Sequence, residues 1–269
     1  MRPKIGVFGL TSCAGDQLAL INCEDEVLDL ASEFQISSFS MAQSVNDDSE
    51  LDVAFVEGAV VTPGDESRLK DIRSKARLLV ALGTCATWGG VAGGVGGQTI
   101  REMYQEVYRT GRNIYEYSPP APLRDFVEVD AAVPGCPVEK HDLLRGLSGL
   151  LYGLLPLAHD YSVCFECKPK ENPCQLFTGL KSCSGPVTAG GCGARCPSHN
   201  VRCRGCRGPL EADSLESRLR MLTAAGGDGS GPILGPEEAC RALCTFSRVE
   251  SSQVPQGKEG RDLDQDLGG

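Results

Sequence analysis

The chain has 269 residues, of which 36 are acidic and 26 basic, giving a net charge of −10, and 41% are apolar, enough for a substantial core. The acidic balance and the lack of a basic cluster among aromatic residues argue against a nucleic-acid partner. Because no apolar stretch reaches the roughly 18 residues of a spanning helix and the first residues lack a signal-peptide pattern, we expect a cytoplasmic protein without membrane contact.

Residues 4–157 alternate short β-branched or apolar runs with stretches of helical periodicity, which is the pattern of a parallel βαβ sheet. The predicted strands are KIGVFGL (4–10), FQISSF (34–39), LDVAFVEG (51–58), ARLLVALG (76–83) and FVEVDAAV (126–133). The predicted helices cover 16–33, 64–75, 99–111 and 138–154. Five strands joined by crossovers predict a doubly wound, flavodoxin-like α/β domain over residues 1–158.

Residues 159–208 differ in composition, with eight cysteines among Gly, Pro, Lys and Arg and almost no apolar periodicity. Such a segment has no core of its own, so we expect it to need metal to fold and to contain little regular structure. Residues 209–269 are expected to form a partly disordered tail with short helices at 211–225 and 236–246. The second of these contains Cys240 and Cys244, which we interpret as ordinary buried thiols.

The 14 cysteines are unusual for a cytoplasmic protein, where a reducing environment disfavours disulfides and favours metal or redox use. Cys13, Cys85 and Cys136 each follow a predicted strand, and Asp16 lies at the start of the first helix. Because the carboxyl ends of parallel strands meet at one edge, these four residues form a candidate metal site. The alternative is three unrelated loop cysteines.

Two phosphate-binding interpretations are disfavoured. A flavin phosphate in the first loop would meet the carboxylate of TSCAGDQ where it needs free N–H donors. The glycine-rich stretch GGVAGGVGG at 89–97 lacks the lysine and the spacing of a phosphate-binding loop, so we expect it to pack against a partner.

The remaining cysteines fall into two sets of four, each with the donors of a tetrahedral zinc site or an iron–sulfur cluster. The sets are Cys164, Cys167, Cys174 and Cys183, and then Cys192, Cys196, Cys203 and Cys206. Spacing alone does not separate the two metals, but the cysteine–proline step in ARCP favours clusters. A zinc-stabilised scaffold or regulatory protein remains the alternative.

Several stretches together resemble the small, electron-transferring subunit of nickel–iron hydrogenases, most closely the delta subunit of cytosolic sulfhydrogenases. They are LTSCAGDQLAL, VAFVEGAV, LVALGTCATWGG, VPGCPVEK and the eight-cysteine block, in order over residues 4–208. A weaker similarity extends to the 20 kDa subunit of respiratory complex I, which has a tandem Cys-Cys that is absent here. A complex I-like module without hydrogenase activity is therefore a further alternative.

The resemblance implies three 4Fe–4S clusters. The proximal ligands would be Cys13, Asp16, Cys85 and Cys136. The medial ligands would be Cys192, Cys196, Cys203 and Cys206, and the distal ligands Cys164, Cys167, Cys174 and Cys183. Cysteine at 164, where periplasmic members have histidine, and at 196, where members with a 3Fe–4S cluster have proline, predicts that all three are cubanes.

Asp16 departs from the family pattern, because most members have the second cysteine of C-x-x-C there, although the F420-reducing group uses aspartate. The competing ligand, Cys23, would lie roughly 12 Å along the first helix, so we expect it to be a buried core thiol. Helix capping by Asp16 is the structural alternative. Glu57 matches a family glutamate near the subunit interface and would either relay protons or cap the following turn.

The resemblance also implies that this chain transfers electrons and that the nickel–iron site lies in the large subunit. The expected partners are that large subunit and an NAD(P)-linked flavin and iron–sulfur diaphorase. The chain has no dinucleotide-binding fingerprint of its own.

Overall fold

The computed structural model describes residues 2–23, 26, 32–90, 100–109, 117–154, 159–177 and 183–210. The helices predicted after residue 210, with Cys240 and Cys244, lie outside these residues, as does most of the glycine-rich stretch. No helix within the described part of the chain is long and apolar enough to cross a membrane.

The centre of the fold is a sheet of five parallel strands. The strands are β1 (Lys4–Gly9), β2 (Gln35–Phe39), β3 (Leu51–Glu57), β4 (Ala76–Leu82) and β5 (Ala131–Val133). Their order across the sheet is β2-β1-β3-β4-β5, with every neighbouring pair parallel. This is the order of flavodoxin-like folds, so the predicted α/β class is confirmed.

Each of the four helix ranges predicted within residues 1–158 overlaps an observed helix, close to the prediction for 64–75 and shorter for the other three, and three short helices among the described residues were not predicted. The described helices are α1 (Gly15–Ile21), α2 (Pro63–Lys75), α3 (Gly83–Trp88), α4 (Ile100–Tyr108), α5 (Lys140–Leu151), α6 (Val163–Cys167) and α7 (Arg195–Ser198). The start of α2 is specified locally, because Thr62 and Asp65 form a capping box and Pro63 occupies the first turn.

Alternation along the strands divides the core into two faces of the sheet. On one face Val53, Phe55 and Val80 pack with Leu20 of α1 and Leu143 of α5. On the other, the intervening strand residues pack against α2 and the chain around Leu123. Both faces are covered by apolar side chains, as expected for a buried parallel sheet.

Two elements differ from the sequence prediction. The fifth strand is only three residues long, because the Asp130 carboxylate accepts the backbone N–H of Leu79 at 2.7 Å and so ends the ladder at that point. The GTCATWGG stretch, expected as a loop, begins with helix α3. Gly83 starts this helix with a left-handed φ of 81°, which favours glycine.

Residues 159–208, called the Cys-rich segment below, contain little regular structure among their described residues: two short helices and two 3₁₀ turns. Their described apolar cluster has only four buried members, Val163, Cys183, Ala194 and Cys203. Half of this cluster is therefore cysteine, consistent with the expectation that burial alone does not hold the segment.

Candidate metal centres

Three cysteines, Cys13, Cys85 and Cys136, follow the carboxyl ends of three strands, as predicted. The edge of the sheet where these strands end is called the rim. Cys13 is in the turn after β1, Cys85 is in α3 directly after β4, and Cys136 is in the loop between β5 and α5. Cys13 and Cys136 are exposed and Cys85 is half-buried. The set thus opens toward the surface of this chain.

Asp16 lies in the first turn of α1 and is only 5% exposed. Its Oδ1 accepts the backbone N–H of Val138 at 2.8 Å, and its Oδ2 lies so close to Gly83 that a Cβ there would overlap it. Burial raises the pKa of Asp16 to about 7; the Val138 hydrogen bond opposes this and the charge of Glu57 adds to it. The carboxylate therefore joins three loops of the rim and does not cap its own helix.

The four predicted proximal residues lie close enough together for their charges to change the pKa values of Cys85 and Cys136. Burial, followed by the charges of Cys136, Asp16 and Cys13, raises the pKa of Cys85 to about 12. Burial and then the charges of Asp16 and Cys13 also raise the pKa of Cys136. The structure thus brings together residues that lie more than a hundred positions apart in the sequence.

Glu57 ends β3, which lies between β1 and β4. Its carboxylate accepts the backbone N–H groups of Asp16 at 3.3 Å and Gln17 at 3.2 Å, and the Gln17 side-chain amide at 2.8 Å. The side chain is 1% exposed. These bonds fix the start of α1, and hence Asp16, against the sheet.

Cys23 is fully buried after α1, and its thiol donates to the Ala19 carbonyl at 3.2 Å. The expectation of a core thiol is confirmed. Burial raises its pKa, and the charges acting on it come from Lys140 and Glu26 and not from the rim cysteines.

The first set of the Cys-rich segment is also brought together. Burial, then the charges of Cys183, Cys167 and Cys174, raises the pKa of Cys164 to about 11. Gly185 faces this set, since a Cβ placed there would lie 3.3 Å from Cys164 Sγ and 3.6 Å from Cys183 Sγ. The missing side chain leaves space beside the thiols.

The second set surrounds Cys206, whose pKa is raised to about 12 by burial and then by the charges of Cys192, Cys196 and Cys136. A hydrogen bond from the backbone of Cys136 opposes this increase. At the other side of the set, the Cys203 N–H donates to Cys183 Sγ at 3.3 Å. The three sets therefore touch in the order proximal, medial, distal.

Glu166, which the sequence analysis did not identify, lies between Cys164 and Cys167 but binds the loop of the other set. Its carboxylate accepts the N–H of Gly191 at 2.7 Å and of Ala194 at 3.1 Å, on either side of Cys192. The sequence feature that could have identified Glu166 as a site residue is its position as a charged residue inside the C-x-x-C pair of Cys164 and Cys167.

Arg207 was also missed and joins the Cys-rich segment to the sheet. It donates to the Pro134 carbonyl at 3.0 Å and forms a 2.6 Å ion pair with Asp142. Beside it, Gly208 packs so closely on Trp88 of α3 that a Cβ at 208 would overlap the indole. These contacts dock the Cys-rich segment, with both of its cysteine sets, on the edge of the sheet.

The donor sets fit iron–sulfur clusters. All twelve cysteines in the described residues are free thiols. Two sets of four thiols in the Cys-rich segment and three thiols with a carboxylate at the sheet edge supply the soft sulfur ligands that iron–sulfur clusters use. The raised thiol pKa values mean that metal binding must displace protons.

Comparison with known proteins identifies one matching family and several related hydrogenase subunits. The family described as NADH ubiquinone oxidoreductase, 20 Kd subunit, matches residues 13–150. The chain is 41% identical to the sulfhydrogenase 2 subunit delta of Pyrococcus furiosus, over 91% of this chain and 99% of that protein. It is 30% identical to the coenzyme F420 hydrogenase subunit gamma of Methanosarcina barkeri, over 74% of this chain and 77% of that protein.

Solved structures share the fold. A [NiFeSe] hydrogenase chain from Desulfovibrio vulgaris Hildenborough matches with a TM-score of 0.54 at 15% identity, over 79% of this chain and 95% of that chain. An NAD⁺-reducing [NiFe]-hydrogenase chain matches with a TM-score of 0.51 at 24% identity, over 58% of this chain and 95% of that chain.

Fold and cysteine sets together define an iron–sulfur protein of the electron-transfer class. The chain belongs to the NADH ubiquinone oxidoreductase 20 kDa subunit family and, within it, to a group of hydrogenase subunits that includes the sulfhydrogenase delta subunit.

Proposed function

We propose that this chain conducts electrons between a nickel–iron site in a hydrogenase large subunit and a diaphorase-type partner, in the cytoplasm. It would transfer electrons and leave the hydrogen chemistry to the large subunit. The hydrogenase subunits to which it is similar support membership of such a complex.

Three 4Fe–4S clusters are proposed, held by the residues expected from the sequence. Cys13, Asp16, Cys85 and Cys136 would hold the proximal cluster. Cys192, Cys196, Cys203 and Cys206 would hold the medial cluster, and Cys164, Cys167, Cys174 and Cys183 the distal one. When bound, such a cluster accepts or donates one electron at a potential set by charge, hydrogen bonds and burial.

The observation that carries this proposal is the order of contacts between the sets. Cys136 contacts Cys206, and Cys203 contacts Cys183, so each set adjoins the next along one line. A zinc-stabilised scaffold has no need for such an order, whereas electron transfer depends on short distances between successive centres.

At the proximal site, the chain's own residues hold and orient the ligands. Glu57 secures the start of α1, and the Val138 N–H fixes one oxygen of Asp16. We propose Asp16 as the fourth ligand. The contacts of Glu57 favour a positioning role, while proton relay remains a proposal for its carboxylate once a large subunit covers the rim.

Exposure of the proximal thiols supports an obligate partner. Cys13 and Cys136 are exposed on the isolated chain, so a cluster there would meet solvent unless another subunit covered it. We expect the interface to include residues 11–17, 57–63, 85–100 and 134–139 and to be large. Without the large subunit, the chain should be unstable or aggregate.

The test is anaerobic purification of the chain co-expressed with a candidate hydrogenase large subunit from the same organism. We expect a brown complex that contains iron and acid-labile sulfide and shows three reducible clusters by EPR spectroscopy. A colourless, zinc-containing protein would support the scaffold alternative. A large subunit without its nickel-binding cysteines would point to a complex I-like module.

A further inference from the structure

Arg207 is a buried charge at the junction between the sheet and the Cys-rich segment. It is 3% exposed. Its guanidinium donates to the carbonyls of Pro134 and Gly190 and to the Asp142 carboxylate. Three acceptors on three separate segments thus share one side chain.

The positions of these acceptors relate Arg207 to two cysteine sets. Pro134 is two residues before Cys136 of the proximal set, and Gly190 is two residues before Cys192 of the medial set. Arg207 itself directly follows Cys206. One guanidinium therefore links a proximal ligand loop to two medial ligand loops.

The same junction holds the most direct link between the two sets. The backbone of Cys136 forms a hydrogen bond with the Cys206 thiol, and the Thr84 hydroxyl, beside Cys85, donates to the Cys206 carbonyl at 2.5 Å. Arg207 stabilises this link as well, because it donates to the carbonyl of Pro134, two residues before Cys136.

The surroundings of Arg207 are built for a guanidinium. Asp142 forms a 2.6 Å ion pair with the guanidinium, and its other oxygen lies 3.0 Å from His159 Nε2. Gly191 has a left-handed φ of 106°, and a Cβ there would overlap both Arg207 and His159. A planar fork with several donors satisfies acceptors in different directions, which a lysine ammonium on a flexible stem does not reproduce.

We propose that Arg207 is a positioning residue for electron transfer between the proximal and medial sites. Its fork fixes Cys136 against Cys206, and its charge favours the reduced state of the medial cluster. The proposal rests on the proposed function, because it requires both clusters. The step moves one electron from one site to the other, without breaking a bond or moving a proton.

The test compares Arg207→Gln with Arg204→Gln in the complex with the large subunit. Arg204 is the matched control, because it directly follows the medial residue Cys203, as Arg207 follows Cys206, but is exposed. EPR-monitored titration gives the medial potential, and the magnetic splitting of the reduced signals reports the spacing of proximal and medial clusters. We expect Arg207→Gln to lower the potential and change the splitting, and Arg204→Gln to do neither to a comparable extent.

Arg207→Lys separates charge from geometry. It should preserve the medial potential better than Arg207→Gln does, while the splitting still changes, because an ammonium cannot hold all three acceptors. Equal potentials and equal splitting in the wild type and Arg207→Gln, with full iron content, would overturn the proposal.

Arg207→Gln leaves the buried Asp142 without its closest cationic partner, which can prevent folding. The double variant Asp142→Asn/Arg207→Gln removes both charges and should assemble. Its splitting should change as in Arg207→Gln, while its medial potential should shift less, because the two removed charges are opposite. If this variant and Arg207→Lys both lose the medial cluster, Arg207 is a folding residue and the positioning role is wrong. A wild-type complex without iron and sulfide would instead refute the proposed function.

Discussion

The sheet region, residues 2–154, and the Cys-rich segment are stabilised in different ways. The sheet has an apolar cluster on each face, drawn from all five strands and the helices packed on them. The described part of the Cys-rich segment has one small cluster, and half of its buried members are proposed metal ligands.

This difference separates a preformed site from a site that the metal helps to create. At the sheet edge, buried Glu57 and the strand ends fix the positions of the proximal residues before any metal binds. In the Cys-rich segment, we expect metal binding to supply folding energy as well, because little apolar surface is buried among its described residues.

Metal removal should therefore have the largest effect, and on one region alone. Chelation of the clusters under reducing conditions should make residues 159–208 sensitive to protease while the sheet stays protected. Limited proteolysis with mass spectrometry of loaded and metal-free protein measures this. Equal protection of the segment in both forms would contradict the comparison.

A single ligand change should cost one cluster and leave the fold intact. Asp16→Ala should lose or destabilise the proximal cluster, whereas Asp16→Cys should keep three clusters with an altered proximal spectrum, since thiolate is a softer ligand than carboxylate. Cys23→Ala, at a fully buried thiol outside the set, should leave iron content unchanged. Loss of a cluster in Cys23→Ala with a silent Asp16→Ala would reverse the assignment.

A matched pair of core substitutions tests the comparison further. Val80 in β4 and Val163 in α6 are buried to the same degree, at 0% and 1% exposed. In metal-free protein, Val80→Ala should lower the unfolding free energy by about 2 kcal/mol, while Val163→Ala should have little effect. Urea denaturation followed by circular dichroism gives both values. Similar losses would mean that the segment folds without metal.

The smallest effect concerns the cap of α2. Burial alone raises the pKa of Asp65, but hydrogen bonds from Thr62 and Thr11 outweigh it and lower the pKa. A lowered folded pKa adds stability above the unfolded value of about 3.9, and this is lost as the pH falls through the folded pKa.

Asp65→Ala should therefore cost about 1 kcal/mol at pH 7, and the difference from wild type should shrink below about pH 4. Urea denaturation of metal-free protein at pH 7 and pH 3.5 measures it. Asp71→Ala, in the same helix at an exposed ion pair, is the control and should cost less. A pH-independent difference would show that the charge of Asp65 contributes nothing.

Much of the sheet follows from the sequence, because most of its strands are rich in apolar and β-branched residues. LDVAFVE gives β3 from residue 51 to 57, and its alternate residues fill the two faces. The ends of strands also place Cys13, Cys85 and Cys136 on one edge. This part of the site needs only strand order and the rule that parallel strands end together.

The remaining features depend on contacts that no local pattern contains. Helix α3 has six residues and a positive φ at Gly83, and the Thr84 N–H within it donates to the Gly135 carbonyl at 2.8 Å. Arg207 binds Asp142 and Pro134, which are 65 and 73 positions away. The side chain of Asp130 accepts the Leu79 N–H in place of a backbone carbonyl of the neighbouring strand. Residue propensities do not reveal such a replacement.

The contact between Trp88 and Gly208 gives the molecule an optical probe of its own. The chain has a single tryptophan, and its indole lies under the end of the Cys-rich segment with the Arg124 guanidinium 4.5 Å from the ring centroid. Separation of the two regions would expose this ring to water and shift its emission to longer wavelength. Intrinsic fluorescence thus reports the docking of the segment without an attached label.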